Sequence, residues 1–351
     1  MSRLIVVSNR VSPPTGDGEE SVGGLAMALA AALKAYSGIW FGWSGATVPS
    51  FTGELHTDTV GGVTSVTVDL EEIDLDEYYN GYANKTLWPL FHYRIDLAAF
   101  DRAYGTGYRR VNRRFAETLA PLIQPDDVIW VHDYHLIPLA QELRSLGVRN
   151  RIGFFLHIPW PAHQVFTNLP RHRQLVEAMF AYDLAGFQTA EYLQAFEDYV
   201  LSEADGSVLS PGRLRAFGRD LEVGAFPIGI DAADFARMVA SPRARKMRDL
   251  MTASTVFRQL VVGVDRLDYS KGLEERFLGF ERFLIENPDL RREVLMLQIA
   301  PVSRESVEAY QEIRGRLDSL SGRINGEFSD VDWAPFRYVN KNYRRDELAG
   351  I

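Results

Sequence analysis

The sequence predicts an α/β fold built on mostly parallel sheets, arranged as two Rossmann-like units. Short β-rich runs alternate with longer helical patterns, the alternation that produces a parallel sheet. At 351 residues the chain is long enough for two domains, each burying its own core. The alternation also restarts after Pro227-Ile228-Gly229-Ile230-Asp231, which reads as a crossing between them.

Arg3 to Ser8 reads as the first strand, because an apolar run follows a single cation. Leu25 to Tyr36 reads as a helix, with Leu25, Leu29 and Leu33 on one face. Further strands are expected at Val63 to Val68, Val128 to His132, Ile152 to His157, Leu184 to Phe187 and Val223 to Pro227. Helices fit between them, including Leu136 to Leu146 and Glu191 to Leu201. The stretch from Asp205 to Gly218, rich in Gly, Ser and Pro, reads as a surface excursion. The first domain is expected over residues 1–232 and the second over 233–351. In the second, strands are expected at Gln259 to Asp265, Val294 to Ile299 and Phe336 to Val339. Helices fall at Glu274 to Glu286 and Val307 to Leu320. Three strands are few for a doubly wound domain.

Composition narrows the function. Hydrophobic residues make up 46% and charged residues 24%, ordinary for a globular protein. The net charge of −9 argues against a broad nucleic-acid surface, though not against a phosphorylated small substrate held by a few cations. With no cysteine, disulfides, thiolate catalysis and cysteine metal sites are excluded. The apolar run Leu4 to Val7 is too short for a signal peptide or a membrane span. A cytoplasmic protein is the expectation.

Ligands in open α/β sheets bind at the carboxyl ends of the strands. The run Val264-Asp265-Arg266-Leu267-Asp268-Tyr269-Ser270-Lys271-Gly272-Leu273 places two cations after a buried strand and just before a helix. Arg266 and Lys271 there suit a diphosphate, helped by the partial positive charge of the helix start. An isolated pair of this kind would read as an ordinary salt-bridged turn. Arg10 closes the first strand with a guanidinium fitted to phosphate. Gly23 and Gly24 precede a helix and permit close backbone approach to a phosphate, but they are not the G-x-G-x-x-G fingerprint of nicotinamide cofactors. His132-Asp133-Tyr134-His135 ends another strand, with neutral hydrogen bonding favoured over a metal and Asp133 suited to a sugar hydroxyl. His157 ends the next strand and is aimed by Pro159 and Pro161. Trp40, Trp43, Tyr78, Tyr79, Trp88 and Tyr93 lie in the first hundred residues, where rings could stack on sugar faces or fill a core. Asp74-Leu75-Asp76 and Asp330-Val331-Asp332 match an Asp-x-Asp metal motif, but neither copy follows a strand closely, so no metal site is expected.

Taken together, these motifs resemble the trehalose-6-phosphate synthases, glycosyltransferase family 20. The resemblance rests on Ser8-Asn9-Arg10, Gly23-Gly24-Leu25, Trp40-Phe41-Gly42-Trp43-Ser44-Gly45, Asp76-Glu77-Tyr78-Tyr79-Asn80 and Leu87-Trp88-Pro89. It extends through Val131-His132-Asp133-Tyr134-His135, Gly153 to Pro159, the Arg266 to Lys271 run and Gln298-Ile299-Ala300-Pro301. It implies the GT-B architecture, two Rossmann-like domains facing across a cleft. It also implies a retaining transfer of glucose from a nucleotide sugar, UDP-glucose above all, to glucose 6-phosphate, without a cofactor. By this resemblance Arg10, Tyr79, Asp133 and Arg304 hold glucose 6-phosphate, with Trp43 and Trp88 walling its pocket. Gly23 and Gly24 reach the donor phosphates, Arg266 and Lys271 bind the diphosphate, His157 contacts the donor glucose, and Tyr343 approaches the base. Asp133, His157, Arg266 and Lys271 are the expected catalytic set. A homo-oligomer is compatible with the family. Family members continue past this endpoint with further donor-binding residues, so a second domain that is incomplete, with an open sheet edge, is expected. The competing readings are a non-catalytic phosphosugar-binding module, a relative coupling cyclitols, and a nicotinamide oxidoreductase.

Overall fold

The structure, a computed structural model, describes residues 3–11, 38–60, 63–255, 258–304 and 307–351. The helix expected from Leu25 to Tyr36, together with Gly23 and Gly24, lies outside the described residues. The chain divides into two compact units, Met1–Gly229 and Ile230–Ile351.

The first unit is organised by a ten-stranded sheet in the order β3-β4-β2-β1-β5-β6-β7-β10-β9-β8. Its strands are β1 Leu4–Arg10, β2 Ile39–Val48, β3 Leu55–Val60, β4 Val63–Glu71, β5 Val128–His132, β6 Ile152–Leu156, β7 Leu184–Phe187, β8 Ser207–Ser210, β9 Arg213–Ala216 and β10 Arg219–Ala225. From β4 to β10 every neighbouring pair is parallel, while β3 and the β8–β9 ribbon close the two edges with antiparallel pairs. Register sets Phe41, Val7, Val131, Phe154 and Ala185 in one row across the sheet. All five are buried, as a sheet covered on its faces requires. Because the strands run parallel in this register, the segments that follow β1, β5 and β6 emerge along one edge.

Two expectations for this unit are corrected. The stretch from Asp205 to Gly218 is not a loose excursion but the β8–β9 ribbon pairing onto β10. Leu214 and Ala216 turn inward while Arg213 and Arg215 stay exposed and bind Asp220. Strands β2 and β3 were not anticipated: β2 is interrupted by Gly42 and Gly45, and glycine is depleted in strands. After β4 the chain enters a wide helix, Leu75–Leu87, closed by the Trp88 N–H donating to the Ala83 carbonyl five residues back. Since β4 runs to Glu71, Asp74 does follow a strand closely. Its buried carboxylate is taken up by Arg110 and Arg114 from the helix Arg102–Leu119. Asp330 and Asp332 are likewise both bound by Arg292.

The second unit has a parallel sheet of three described strands, β11 Gln259–Val264, β12 Val294–Ile299 and β13 Phe336–Val339. β12 is buried along its whole length. Helices Leu273–Glu286 and Glu308–Phe328 cover one face, joining Phe277, Leu284, Ile313 and Leu317 to Met296 and Phe336 in one core. β11 leaves Val261, Val262 and Val264 exposed, at 46%, 42% and 45%. Among the described residues no helix is long and apolar enough to cross a membrane.

Candidate active site

In the first unit, β1 delivers Arg10 to solvent at its carboxyl end. The guanidinium carbon lies 5.8 Å from the Trp43 ring centroid, a cation–π approach. Gly45 makes the room: its φ is +96°, and a Cβ there would stand 2.5 Å from Arg10 Nη2. Trp43 is fixed by its indole N–H, which donates to the Ala46 carbonyl at 2.6 Å. Tyr79, carried by the wide helix Leu75–Leu87, meets Trp43 at 5.6 Å between centroids. It also stacks on His135 at 5.9 Å, with only 13° between planes. Neighbouring Tyr78 is buried and donates its hydroxyl to Asn9 Oδ1 at 2.7 Å, tying this helix to the end of β1. Trp88 is buried and sits one layer deeper, 5.6 Å from Tyr134, whose ring lies 3.9 Å from His135. Arg10, Trp43 and Tyr79 thus form one cluster, with Trp88 reached through Tyr134 and His135.

Asp133 and His157 form a second cluster where β5 and β6 end. Asp133 has φ 74° and ψ 166°, a region that costs a non-glycine residue about 1–3 kcal/mol. Its own N–H donates to the Phe155 carbonyl at 2.8 Å, and its Oδ1 accepts the His157 N–H at 3.2 Å. Backbone strain of this kind is retained where the surroundings over-determine it, and here it holds a carboxylate at the strand end. His157 Nε2 and His132 Nδ1 are 3.0 Å apart, with the rings stacked at 5.2 Å. Burial, and then His157, push the His132 imidazole well below the ordinary histidine value. Burial also lowers His157, against the opposite pull of Asp133. Both rings are therefore neutral near pH 7 and share one hydrogen bond between a donor and an acceptor nitrogen.

In the second unit, β11 ends at Val264 and the cations follow. Arg266 and Lys271 are both exposed, Arg266 ahead of the short turn Tyr269–Lys271 and Lys271 closing it. Gly272, at φ 59°, then starts the helix Leu273–Glu286. The Arg276 N–H donates to the Gly272 carbonyl at 3.0 Å, and the amides ahead of it lie at the open start of the helix, where N–H groups have no intrahelical acceptor. Two cations beside such amides make a positive cradle. Asp265, between β11 and this cradle, is neutralised by Arg276 at 2.7 Å. Arg304 sits elsewhere than an exposed cation would: its side chain is 8% exposed and its φ is 53°. Its Nη1 lies 3.4 Å from Asp268 Oδ2 and also donates to the Tyr310 hydroxyl. Tyr343 is half-buried between β13 and the short helix Arg345–Gly350.

The sequence reading thus lands in two sets. Arg10, Trp43, Tyr79, Trp88, Asp133 and His157 belong to the first unit, and Arg266, Lys271, Arg304 and Tyr343 to the second. Three residues escaped it: His132 as the partner of His157, and Asp268 with Tyr310 as the partners of Arg304. His132 and Asp268 stand inside the quoted motifs, but nothing in their spacing says which neighbour they bind.

A model of glycosyltransferase family 20 matches residues 3–351. The trehalose-6-phosphate synthase of Sinorhizobium fredii is 46% identical over all of this chain and 76% of its own length. A crystal structure of an α,α-trehalose-phosphate synthase (UDP-forming) from Burkholderia xenovorans, in complex with glucose-6-phosphate, is 50% identical. It superposes with a TM-score of 0.94 over 99% of this chain and 76% of that one. The Escherichia coli enzyme bound with UDP-2-fluoro glucose is 45% identical, with a TM-score of 0.92 over 99% of this chain and 75% of that one. On a match of this extent, the fold is the GT-B type of those enzymes and the chain belongs to glycosyltransferase family 20.

Proposed function

We propose that this protein is a retaining glucosyltransferase that moves glucose from UDP-glucose to glucose 6-phosphate, forming α,α-trehalose 6-phosphate. The observation that carries the reading is the match to UDP-forming synthases over 99% of the chain, one of them holding glucose-6-phosphate. The residue roles are our assignment. In the first unit Arg10 takes the acceptor phosphate, Tyr79 and Asp133 its sugar, and Trp43 and Trp88 shape the wall. His157, neutral and anchored by Asp133, contacts the donor glucose. In the second unit Arg266, Lys271 and the start of Leu273–Glu286 take the diphosphate, Arg304 the acceptor phosphate, and Tyr343 the base.

The chemistry follows from these roles. An α-linked donor gives an α,α-linked product, so configuration at the donor carbon is retained. The bond from that carbon to the diphosphate oxygen breaks while the acceptor hydroxyl oxygen bonds on the same face. The departing diphosphate oxygen accepts the hydroxyl proton, and charge grows on the diphosphate, where Arg266 and Lys271 stand. The protein's part is orientation and electrostatic stabilisation. Both substrates carry phosphate charges that a bilayer core would exclude, so we place the reaction in the cytoplasm. Calorimetric titration of glucose 6-phosphate tests the acceptor half. We expect Arg10→Ala to weaken binding about tenfold or more, the loss of a charge-assisted hydrogen bond. An unchanged Kd would remove Arg10 from the site.

A further inference from the structure

We propose that Asp268 is a positioning residue that ties Arg304 to the turn bearing Lys271, so that one buried carboxylate sets both the acceptor-phosphate and the donor-diphosphate cations of the second unit. The proposal rests on the roles of Arg304, Arg266 and Lys271 given above.

Asp268 is 0% exposed and divides its two oxygens between the two sides. Oδ1 accepts the Ser270 N–H at 2.9 Å, and the Asp268 carbonyl accepts the Lys271 N–H at 3.0 Å, which winds the turn Tyr269–Lys271. Oδ2 accepts the Tyr310 hydroxyl at 2.9 Å and lies 3.4 Å from Arg304 Nη1. Arg304 Nη1 also donates to the Tyr310 oxygen, so arginine, phenol and carboxylate close a three-membered ring of contacts. Burial holds the Tyr310 phenol far above its ordinary value, so it stays protonated and donates to Asp268. The backbones are laced at the same place: Leu267 N–H donates to the Pro301 carbonyl at 2.9 Å, and the Ser303 hydroxyl to the Leu267 carbonyl at 3.2 Å.

The physical logic is that of a shielded cation. A guanidinium this buried needs a compensating charge, and Asp268 supplies it. Arg304 also holds a left-handed backbone at φ 53°, which persists only where contacts enforce it. Asn in place of Asp268 can still offer its carbonyl to Ser270 N–H. It would turn an amide N–H₂ toward Arg304 and remove the charge. Ala would remove both ties.

The experiment titrates glucose 6-phosphate and, separately, UDP into the full chain by calorimetry, with thermal melts alongside. Asp268→Asn is expected to weaken glucose 6-phosphate about tenfold while UDP changes little, and Asp268→Ala to weaken both. Tyr310→Phe, which keeps the ring and its packing, is expected to weaken glucose 6-phosphate several-fold, leaving UDP unchanged; it decides the matter if the Asp268 variants do not fold. Wild-type Kd values in Asp268→Asn and Tyr310→Phe, with only the melting temperature lowered, would overturn the proposal and leave Asp268 a packing residue. If Arg304→Ala itself binds glucose 6-phosphate like the wild type, the role of Arg304 falls, and the tie with it.

Discussion

Arg266 and Lys271 carry the heaviest chemical duty assigned to single residues, because charge on the departing diphosphate has no other cation in the described turn. By analogy with a deleted oxyanion-hole donor, Arg266→Ala is expected to raise the barrier by about 2.7–4 kcal/mol, lowering kcat roughly 100- to 1,000-fold with a small change in KM. Unchanged turnover, measured at saturating donor, would end that role. The His132–His157 pair gives a second prediction. Folding keeps both imidazoles below the ordinary value of 6.5, so the unfolded chain binds more protons than the folded one as pH falls. Their contribution to stability is present above about pH 6.5 and lost as pH falls through the folded values. Melting temperature should therefore drop on acidification, and His132→Gln should flatten that slope; an equal slope in the variant would contradict the assignment. The residues of this scale that could be proposed from sequence are those whose type and strand-end position suggest a task, Arg10, Asp133 and His157 among them. Tyr310 was illegible because its partner Asp268 lies 42 residues away, a contact that only the fold creates.

The wide helix Leu75–Leu87 positions Tyr79, and it is held from outside by charge. Asp74 is 0% exposed and receives Arg110 Nη2 at 2.7 Å and Arg114 Nη1, both from helix Arg102–Leu119. Asp74→Ala would remove the buried carboxylate the two arginines share, leaving Arg110 to Glu77 at 3.0 Å and Arg114 to Glu71 at 3.1 Å. The expected cost is about 2 kcal/mol in urea unfolding, that of lost charge-assisted hydrogen bonds and less than an outright broken buried pair, because each arginine keeps a glutamate. A loss below about 1 kcal/mol would mean the arginines simply turn to water. Elements with strong apolar runs, such as Val128–His132, Leu184–Phe187 and Val294–Ile299, could be read from sequence to the residue. The β8–β9 ribbon could not, because its strands are four residues long and mostly exposed, and the turn-forming glycines dominate the local signal. Its one clue was the alternation of Arg213 and Arg215 with Leu214 and Ala216.

At the scale of the whole chain, each unit brings its own sheet, core and set of candidate residues; Arg10, Asp133, His157 and Arg266 stand at or just past strand ends, while Trp43 lies within β2 and Tyr79 and Trp88 are carried by helices. The parallel α/β build of both was legible from alternation alone. What could not be read was the extent of the first sheet, because Gly42 and Gly45 interrupt β2 and Asp58 interrupts β3, while β2 places its register through Trp40 and Phe41 against Val6 and Val7. The central claim is that this chain belongs to a reaction joining two glucose units through their anomeric carbons. Proton NMR of the protein with UDP-glucose and glucose 6-phosphate tests it most directly. We expect one new anomeric signal pattern, that of an α,α-linked trehalose 6-phosphate, growing as UDP is released, and abolished by Arg266→Ala together with Lys271→Ala. A folded chain that binds both substrates yet yields no product, or yields a β-linked one, would contradict the account.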